Sequence, residues 1–296
     1  MKYSITNTCI ECSSCTDVCP VGAIKVVDEK YLIDPLLCDG CKDYDVPQCV
    51  AVCAVGSSVP LQTKKGRYKK PNRPNLSLDL FLNGKNNSFA SAIVVWETCN
   101  LLAQRQSLPW QLDDDGILSY ERQVKQGRGL LRFWIGDSYD QENSIVPLRL
   151  DTAKDAIASL DIRAACLHLI YAACATGCDQ PWEDGFFISD RQIEHYMGLD
   201  KRKDLTKLEK LTLIFDLALQ ACSIIASIQW PRQGRIPEFV MEPEAIWHMV
   251  NVHQHFEADE LGCKHLVGLT FKVRAGTWAK YFLNQKDHLN HTAFYQ

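Results

Sequence analysis

The sequence predicts an α+β chain of more than one domain: a small cysteine-rich module at the N-terminus, then a larger part in which helical and strand patterns alternate. Three observations carry this. Eight of the 14 cysteines fall within the first 53 of 296 residues. Residues 1–60 hold four Lys/Arg against eight Asp/Glu, whereas Lys64 to Arg73 holds six basic residues and no acid. From Phe81 onward, apolar residues recur at both helical and strand spacing. At 33.5 kDa the chain also exceeds a typical domain.

Composition narrows the class. Hydrophobic residues at 46% and charged residues at 23% are those of a globular protein. No apolar run approaches the roughly 20 residues that span a bilayer. The opening MKYSITNTC has no apolar signal segment, so a cytoplasmic location is expected. There, clustered cysteines bind metal or do redox work more often than they form disulfides.

The first cysteine run is Cys9-x2-Cys12-x2-Cys15-x3-Cys19-Pro20. This is the bacterial ferredoxin spacing, in which three cysteines hold one cubane and the fourth crosses to another. Two-residue gaps wrap the chain round a cluster corner; the longer gap and the proline swing the fourth thiolate away. The second run, Cys38-x2-Cys41-x7-Cys49-x3-Cys53, has a longer middle loop and Ala54 in place of proline. Together the runs resemble the two-cluster, eight-iron ferredoxins over residues 1–60. That resemblance implies two [4Fe–4S] clusters, one held by Cys9, Cys12, Cys15 and Cys53, the other by Cys38, Cys41, Cys49 and Cys19. Zinc also accepts four cysteines, but its sites usually pair two C-x2-C knuckles rather than a triple run ending in CP.

Residues 61–80 read as a linker. Lys64, Lys65, Arg67, Lys69 and Lys70 make it basic, while Pro71 and Pro74 discourage regular structure. It is either a solvated spacer or an arm lying along phosphate.

An α+β domain follows over residues 81–180. Ser88 to Gln104 has helical periodicity with a capping serine. ILSYERQVKQGRGLLRFWI reads as two strands around Gln126–Gly129, and SIVPLRL as a further strand. Helices are expected over Thr152–Leu160 and Ile162–Ala175. Cys166, Cys174 and Cys178 fall on or just beyond the second, where cysteine behaves as a small hydrophobe.

Residues 181–296 read as a winged-helix domain. Ser189 and Gln192 form an S-x-x-Q capping box opening a helix buried through Ile193 and Met197. Gly198-Leu199-Asp200 permits a sharp reversal, and a second helix is expected from Arg202–Asp204, packing through Leu205, Leu208 and Leu211. Two helices at a short turn can place a helix N-terminus in the DNA major groove. Arg191, Lys201, Arg202, Lys203, Lys207 and Lys210 lie on that element. Arg232 and Arg235 cap the strand–turn–strand SIQWPRQGRIPEFVM. Residues 191–235 carry eight Lys/Arg against five Asp/Glu within a chain of net charge −4. Glycine-turned helical hairpins are equally at home in all-α domains that bind no DNA.

His248, His253, His255, Cys263 and His265 have no regular ligand spacing and are expected to pack rather than bind metal. LVGLTFKVRAG reads as a strand and TWAKYFLN as a helix. No phosphate loop, nucleophile elbow or paired-acid signature is present, so enzymatic activity is not expected.

The order of parts, with the stretches WETCNLLAQRQSLPWQ, ISDRQIEHYMGLDKRKDLTKLEKLTLI and DELGCKHLVGLTFKVRAGTWAKYFLN, resembles the PatB/CnfR regulators of cyanobacterial nitrogen fixation. The resemblance runs over nearly the whole chain. It implies an activator that binds promoter DNA, with RNA polymerase as a partner, and switches on nitrogenase genes at low oxygen through oxygen-labile clusters. It also implies further winged-helix sequence beyond Gln296, which would make residues 189–211 one of two contacting units. The alternative, favoured by the cysteine block alone, is an electron-transfer protein or oxidoreductase subunit served by an electron donor.

Overall fold

A computed structural model describes residues 1–27, 30–61, 92–124, 128–137, 145–232 and 237–281. The basic arm with Lys64, Lys65, Arg67, Lys69 and Lys70 lies outside these, as do Ser88 and Arg235. The described residues within Met1–Pro74, Arg202–Thr212 and His253–Leu269 form one compact unit; those within Asn75–Lys201, Leu213–Val252 and Thr270–Gln296 form another.

The first unit opens with a β-α-β arrangement used twice: β1 (Tyr3–Ile5), α1 (Ser14–Asp17), β2 (Ile24–Val27), then β3 (Lys30–Ile33), α2 (Gln48–Ala51), β4 (Ser58–Pro60). The halves interlock by antiparallel pairing. Strand β1 lies on β4 with Ile5 opposite Ser58, and β2 lies on β3 with Ile24 opposite Ile33. The core is small: Ile5, Ala23, Ile33 and Cys49 are buried, with Tyr3, Tyr31 and several half-buried cysteines packed round them. So little apolar burial leaves a module of this size short of stability without a staple.

Two distant segments complete this unit. The Lys2 ammonium donates to the Pro35 carbonyl and to Thr212 Oγ1. The Asn7 N–H donates to the Leu261 carbonyl at 3.4 Å. Asp34, 2% exposed, accepts from Gln254 and Lys25 on one oxygen and from the Leu36 N–H on the other.

The second unit mixes helix and antiparallel sheet. After α3 (Ile93–Gln104) come β5 (Gln111–Leu112), β6 (Leu118–Val124) and β7 (Gly129–Ile135), the last two matching the expected hairpin. Helices α4 (Leu150–Ser159) and α5 (Ala164–Thr176) follow within two residues of expectation. Of the stretch SIVPLRL, the described residues 145–150 form no strand. Only isolated bridges, Gly136 to Pro147 and Ile117 to Arg149, form before α4 begins at Leu150, because Pro147 has no N–H to extend a ladder. Helix α5 is buried through Leu167, His168, Ile170, Tyr171 and Ala172, which makes it a core helix. Among the described residues no single helix is long and apolar enough to cross a membrane; α4 and α5 reach that composition only as a pair bent by 85°.

Strand β8 (Phe186–Ser189) leads into α6 (Asp190–Tyr196), whose Ser189/Gln192 capping box is present, with Ile193 fully buried. Gly198 turns the chain with φ +67°. The next helix, α7 (Lys207–Cys222), starts later than expected. A second capping box sets its start: the Thr206 hydroxyl accepts from the Glu209 N–H, and the Glu209 carboxylate accepts from the Thr206 N–H at 2.7 Å. The connection from Met197 to Thr206 is therefore ten residues, longer than a helix-turn-helix turn.

Strands β9 (Ile224–Trp230) and β10 (Phe239–Ala245) form the expected hairpin arms and join a sheet of order β10-β9-β7-β6-β5. Residues 247–258, read from sequence only as packing, form a long strand β11 (Trp247–Ala258), paired with β12 (Lys264–Ala275), which pairs in turn with β8. Helix α8 (Trp278–Tyr281) closes the described chain. Trp247 fixes the core of this unit. Its indole N–H donates to His168 Nδ1 at 2.9 Å, and its rings meet Tyr171 and Trp278 edge-on at 5.7 and 5.4 Å.

Candidate iron–sulfur site

The first-unit fold brings the eight N-terminal cysteines into two rings of four. Cys9, Cys12, Cys15 and Cys53 line one cavity. Cys19, Cys38, Cys41 and Cys49 line another. Each ring thus takes three thiols from one run and one from the other: the last cysteine of each run, Cys19 or Cys53, lies two residues beyond the short helix and joins the other ring.

Tight backbone makes the loops possible. Glu11, Ser13 and Cys41 all adopt positive φ, near 60°, a conformation that side-chain-bearing residues take at a cost of about 1–2 kcal/mol each. Gly40 does so freely at φ +76°, and a Cβ there would collide with the Met1 carbonyl oxygen.

Backbone N–H groups turn toward the sulfurs. Glu11 donates to Cys9 Sγ at 3.4 Å, Ala23 to Cys19 at 3.3 Å, Gln48 to Cys41 at 3.4 Å and Ser57 to Cys53 at 3.2 Å. The Ser57 hydroxyl, also 3.2 Å from Cys53 Sγ, is the main cause that lowers that thiol to about 7. The Ser14 hydroxyl likewise lowers Cys12, whereas burial raises Cys15 and pushes Cys49 up to about 11.

The donor set fits iron–sulfur clusters. A single zinc ion would draw four sulfurs to about 2.3 Å from one point. Among the described residues no three His, Cys, Asp or Glu side chains converge that way. The thiols instead stand round cavities lined by apolar groups such as Ile5, Ile10 and Val55 together with serines Ser13, Ser14, Ser57 and Ser58, or by Tyr3, Ile24 and Ile33 together with Asp39, with N–H donors for the sulfur charge.

The remaining candidates are placed differently. Arg191, Lys201 and Arg232 are at least partly exposed and belong to the second unit; Arg202, Lys203, Lys207 and Lys210 belong to the first. Arg202 is engaged by the Asp204 carboxylate, with Nε to Oδ1 at 2.7 Å. Arg202 and Lys203 precede α7 rather than lying on it, while Lys207 and Lys210 sit half-buried in its first turn. Cys166 is exposed, and Cys174 and Cys178 are half-buried. His248 bonds Glu244 at 3.0 Å and His265 bonds Asp259 at 2.9 Å.

Sequence reading missed the serines that address the sulfurs. Aligning the two halves would have found one: Ser57 stands four residues after Cys53, as Ala23 stands four after Cys19.

Comparison with known proteins agrees with this geometry. A 4Fe-4S dicluster domain matches residues 1–54. The chain is 50% identical over 79 residues to a "ferredoxin-like protein in nif region" of Trichormus variabilis, covering 25% of this chain and 68% of that protein. It is 42% identical over 60 residues to an uncharacterized ferredoxin-like protein of Haemophilus influenzae, 20% of this chain and 70% of that one. With ferredoxin-2 of Chlorobaculum tepidum it shares 46% identity over 56 residues, 19% of this chain and 90% of the relative. By way of this N-terminal domain, the chain belongs to the 4Fe–4S ferredoxin-like proteins, those of the nif region among them.

Proposed function

We propose that the chain is a redox-responsive regulator in which two [4Fe–4S] clusters govern binding of promoter DNA by residues 181–296, with nitrogen-fixation genes as targets, as the PatB/CnfR resemblance implies. One observation carries the reading. Arg202–Thr212, with Lys207 and Lys210 at the start of α7, belongs to the same compact unit as the cysteine module, and Lys2 holds Thr212 Oγ1 at 3.3 Å. When bound, the clusters supply one-electron centres open to attack by oxygen.

The chain's own residues supply the rest. Cys9, Cys12, Cys15 and Cys53 hold one cluster; Cys19, Cys38, Cys41 and Cys49 hold the other. With eight thiolates engaged, the loops at Glu11, Ser13 and Cys41 keep their strained conformations. Without them, the small core of Ile5, Ala23 and Ile33 is left to hold the module, and Lys2 loses its fixed place beside Thr212. Lys207 and Lys210 then present their charge to phosphate from a less ordered helix start, which is a coupling between the two sites. The cytoplasm, RNA polymerase and a small-molecule oxidant are the setting and partners that follow.

Selection of bound fragments from genomic DNA tests this, using anaerobic protein with intact clusters and the same protein after brief air exposure. Enrichment of promoter sequence only before air is the expected result. Equal enrichment in both leaves the clusters without a switching role, and none in either rejects DNA binding by this chain.

A second reading is electron transfer with a donor protein. Its specific support is the exposed Cys12 beside Ile10, 60% exposed, and Val55, 43% exposed, at the rim of the first cavity. Rapid, reversible reduction by a physiological donor, without sequence-selective DNA binding, is its signature.

A further inference from the structure

Ser57 occupies the place in the second half of the module that Ala23 occupies in the first. Each follows the last cysteine of its run by four residues, and each directs its N–H at that cysteine's sulfur, at 3.2 and 3.3 Å. Only Ser57 adds a hydroxyl, 3.2 Å from Cys53 Sγ. Ser57 is 3% exposed, so water does not compete for that hydroxyl. A ligating sulfur carries no proton, so the hydroxyl is the donor.

The two rings differ beyond this pair. Cys12 of the first ring is exposed. Cys49 of the second is only 7% exposed. Hydrogen bonds to ligand sulfurs and access to solvent both favour the more negative, reduced state of a cluster, and so raise its potential.

We propose that Ser57 is a tuning residue whose hydroxyl, bonded to Cys53 Sγ, makes the cluster held by Cys9, Cys12, Cys15 and Cys53 the more easily reduced of the two. This rests on the two-cluster reading above. It gives that cluster the higher midpoint potential and the other the lower.

An anaerobic redox titration of the full chain, followed by electron paramagnetic resonance with iron quantitation, tests it. The native chain should bind about eight irons and show two resolved couples. An iron content near four would overturn the two-cluster reading itself and the proposal with it. With both clusters present, Ser57→Ala should shift only the higher couple downward, and Ser57→Thr, which keeps the hydroxyl, should leave it in place. Unchanged couples in fully loaded Ser57→Ala, or equal shifts of both, would overturn the proposal alone. Should Ser57→Ala fail to load, Cys41→Ser, retaining four irons, decides: the surviving couple must be the higher one, and survival of the lower rejects the assignment.

Discussion

Gln254 Nε2 donates to Asp34 Oδ2 at 2.9 Å, joining residues 220 positions apart in the chain within one compact unit. Asp34 is the hub: buried, it also accepts from Lys25 at 3.1 Å and from the Leu36 N–H at 2.9 Å. Asp34→Ala leaves those donors without an acceptor at a buried position. The expected loss is about 2–4 kcal/mol, since each orphaned buried donor costs about 1–3 kcal/mol and Lys25 regains water. Denaturant titration of the cluster-loaded chain, read by visible absorbance, checks it. Gln254→Ala, which removes one donor and leaves the other two served, should lose about 1 kcal/mol; equal losses for both variants would deny Asp34 this role.

Gly40 bears on the second cysteine ring. Its φ of +76° and the Met1 carbonyl oxygen, which stands where a Cβ would have to go, leave no room for a side chain. Gly40→Ala should therefore displace the loop between Cys38 and Cys41 and reduce iron loading toward one cluster, while the Cys9 ring keeps its own. Iron-to-protein ratio on anaerobic reconstitution is the measurement; full loading would show that the loop yields without cost.

Much of this site is legible in sequence because cysteine spacing encodes local geometry: loops of two residues can wrap a cluster corner, and the proline after Cys19 sends the chain onward. Capping boxes are equally local. Ser189 with Gln192 announced α6, and Thr206 with Glu209 held the true start of α7 in plain view, although the basic run before it drew the expected helix several residues too early. Strand β11 was hidden for a different reason. Its residues are mostly half-buried or exposed on both faces, so WHMVNVHQHFEA shows no clean alternation of apolar and polar. The bonds of Lys2 with Thr212 and of Asp34 with Gln254 depend on tertiary placement alone, and no local pattern carries them.

The regulator reading makes a separate electrostatic prediction. If Lys207 and Lys210 each neutralise one phosphate, the double variant to alanine should weaken DNA binding similarly across sequences. The slope of log K against log salt should fall in magnitude by about 2. Binding measured by fluorescence anisotropy at several salt concentrations checks this under strictly anaerobic conditions. An unchanged slope would remove these lysines from the interface, whatever the affinity.

His168 is expected to make the second unit sensitive to acid. It is fully buried, and burial lowers its pKa from 6.5 to about 3. Its Nδ1 accepts the Trp247 N–H, which places the ring proton on Nε2 and keeps the imidazole neutral. The unfolded chain binds a proton here below about pH 6.5, whereas the folded chain does not until about pH 3. Stability from the neutral ring is thus complete above pH 6.5 and is lost progressively as pH falls toward 3, by up to about 1.4 kcal/mol per pH unit. Between pH 7 and pH 4.5 this amounts to about 3 kcal/mol from one residue. Tryptophan fluorescence during urea unfolding at stepped pH reads the effect at Trp247. His168→Gln keeps an acceptor for the indole but cannot titrate. It should be less stable at pH 7, since it fills the core less well, yet its stability should fall less steeply between pH 6.5 and 4.5. A parallel decline in both chains would place the acid sensitivity elsewhere.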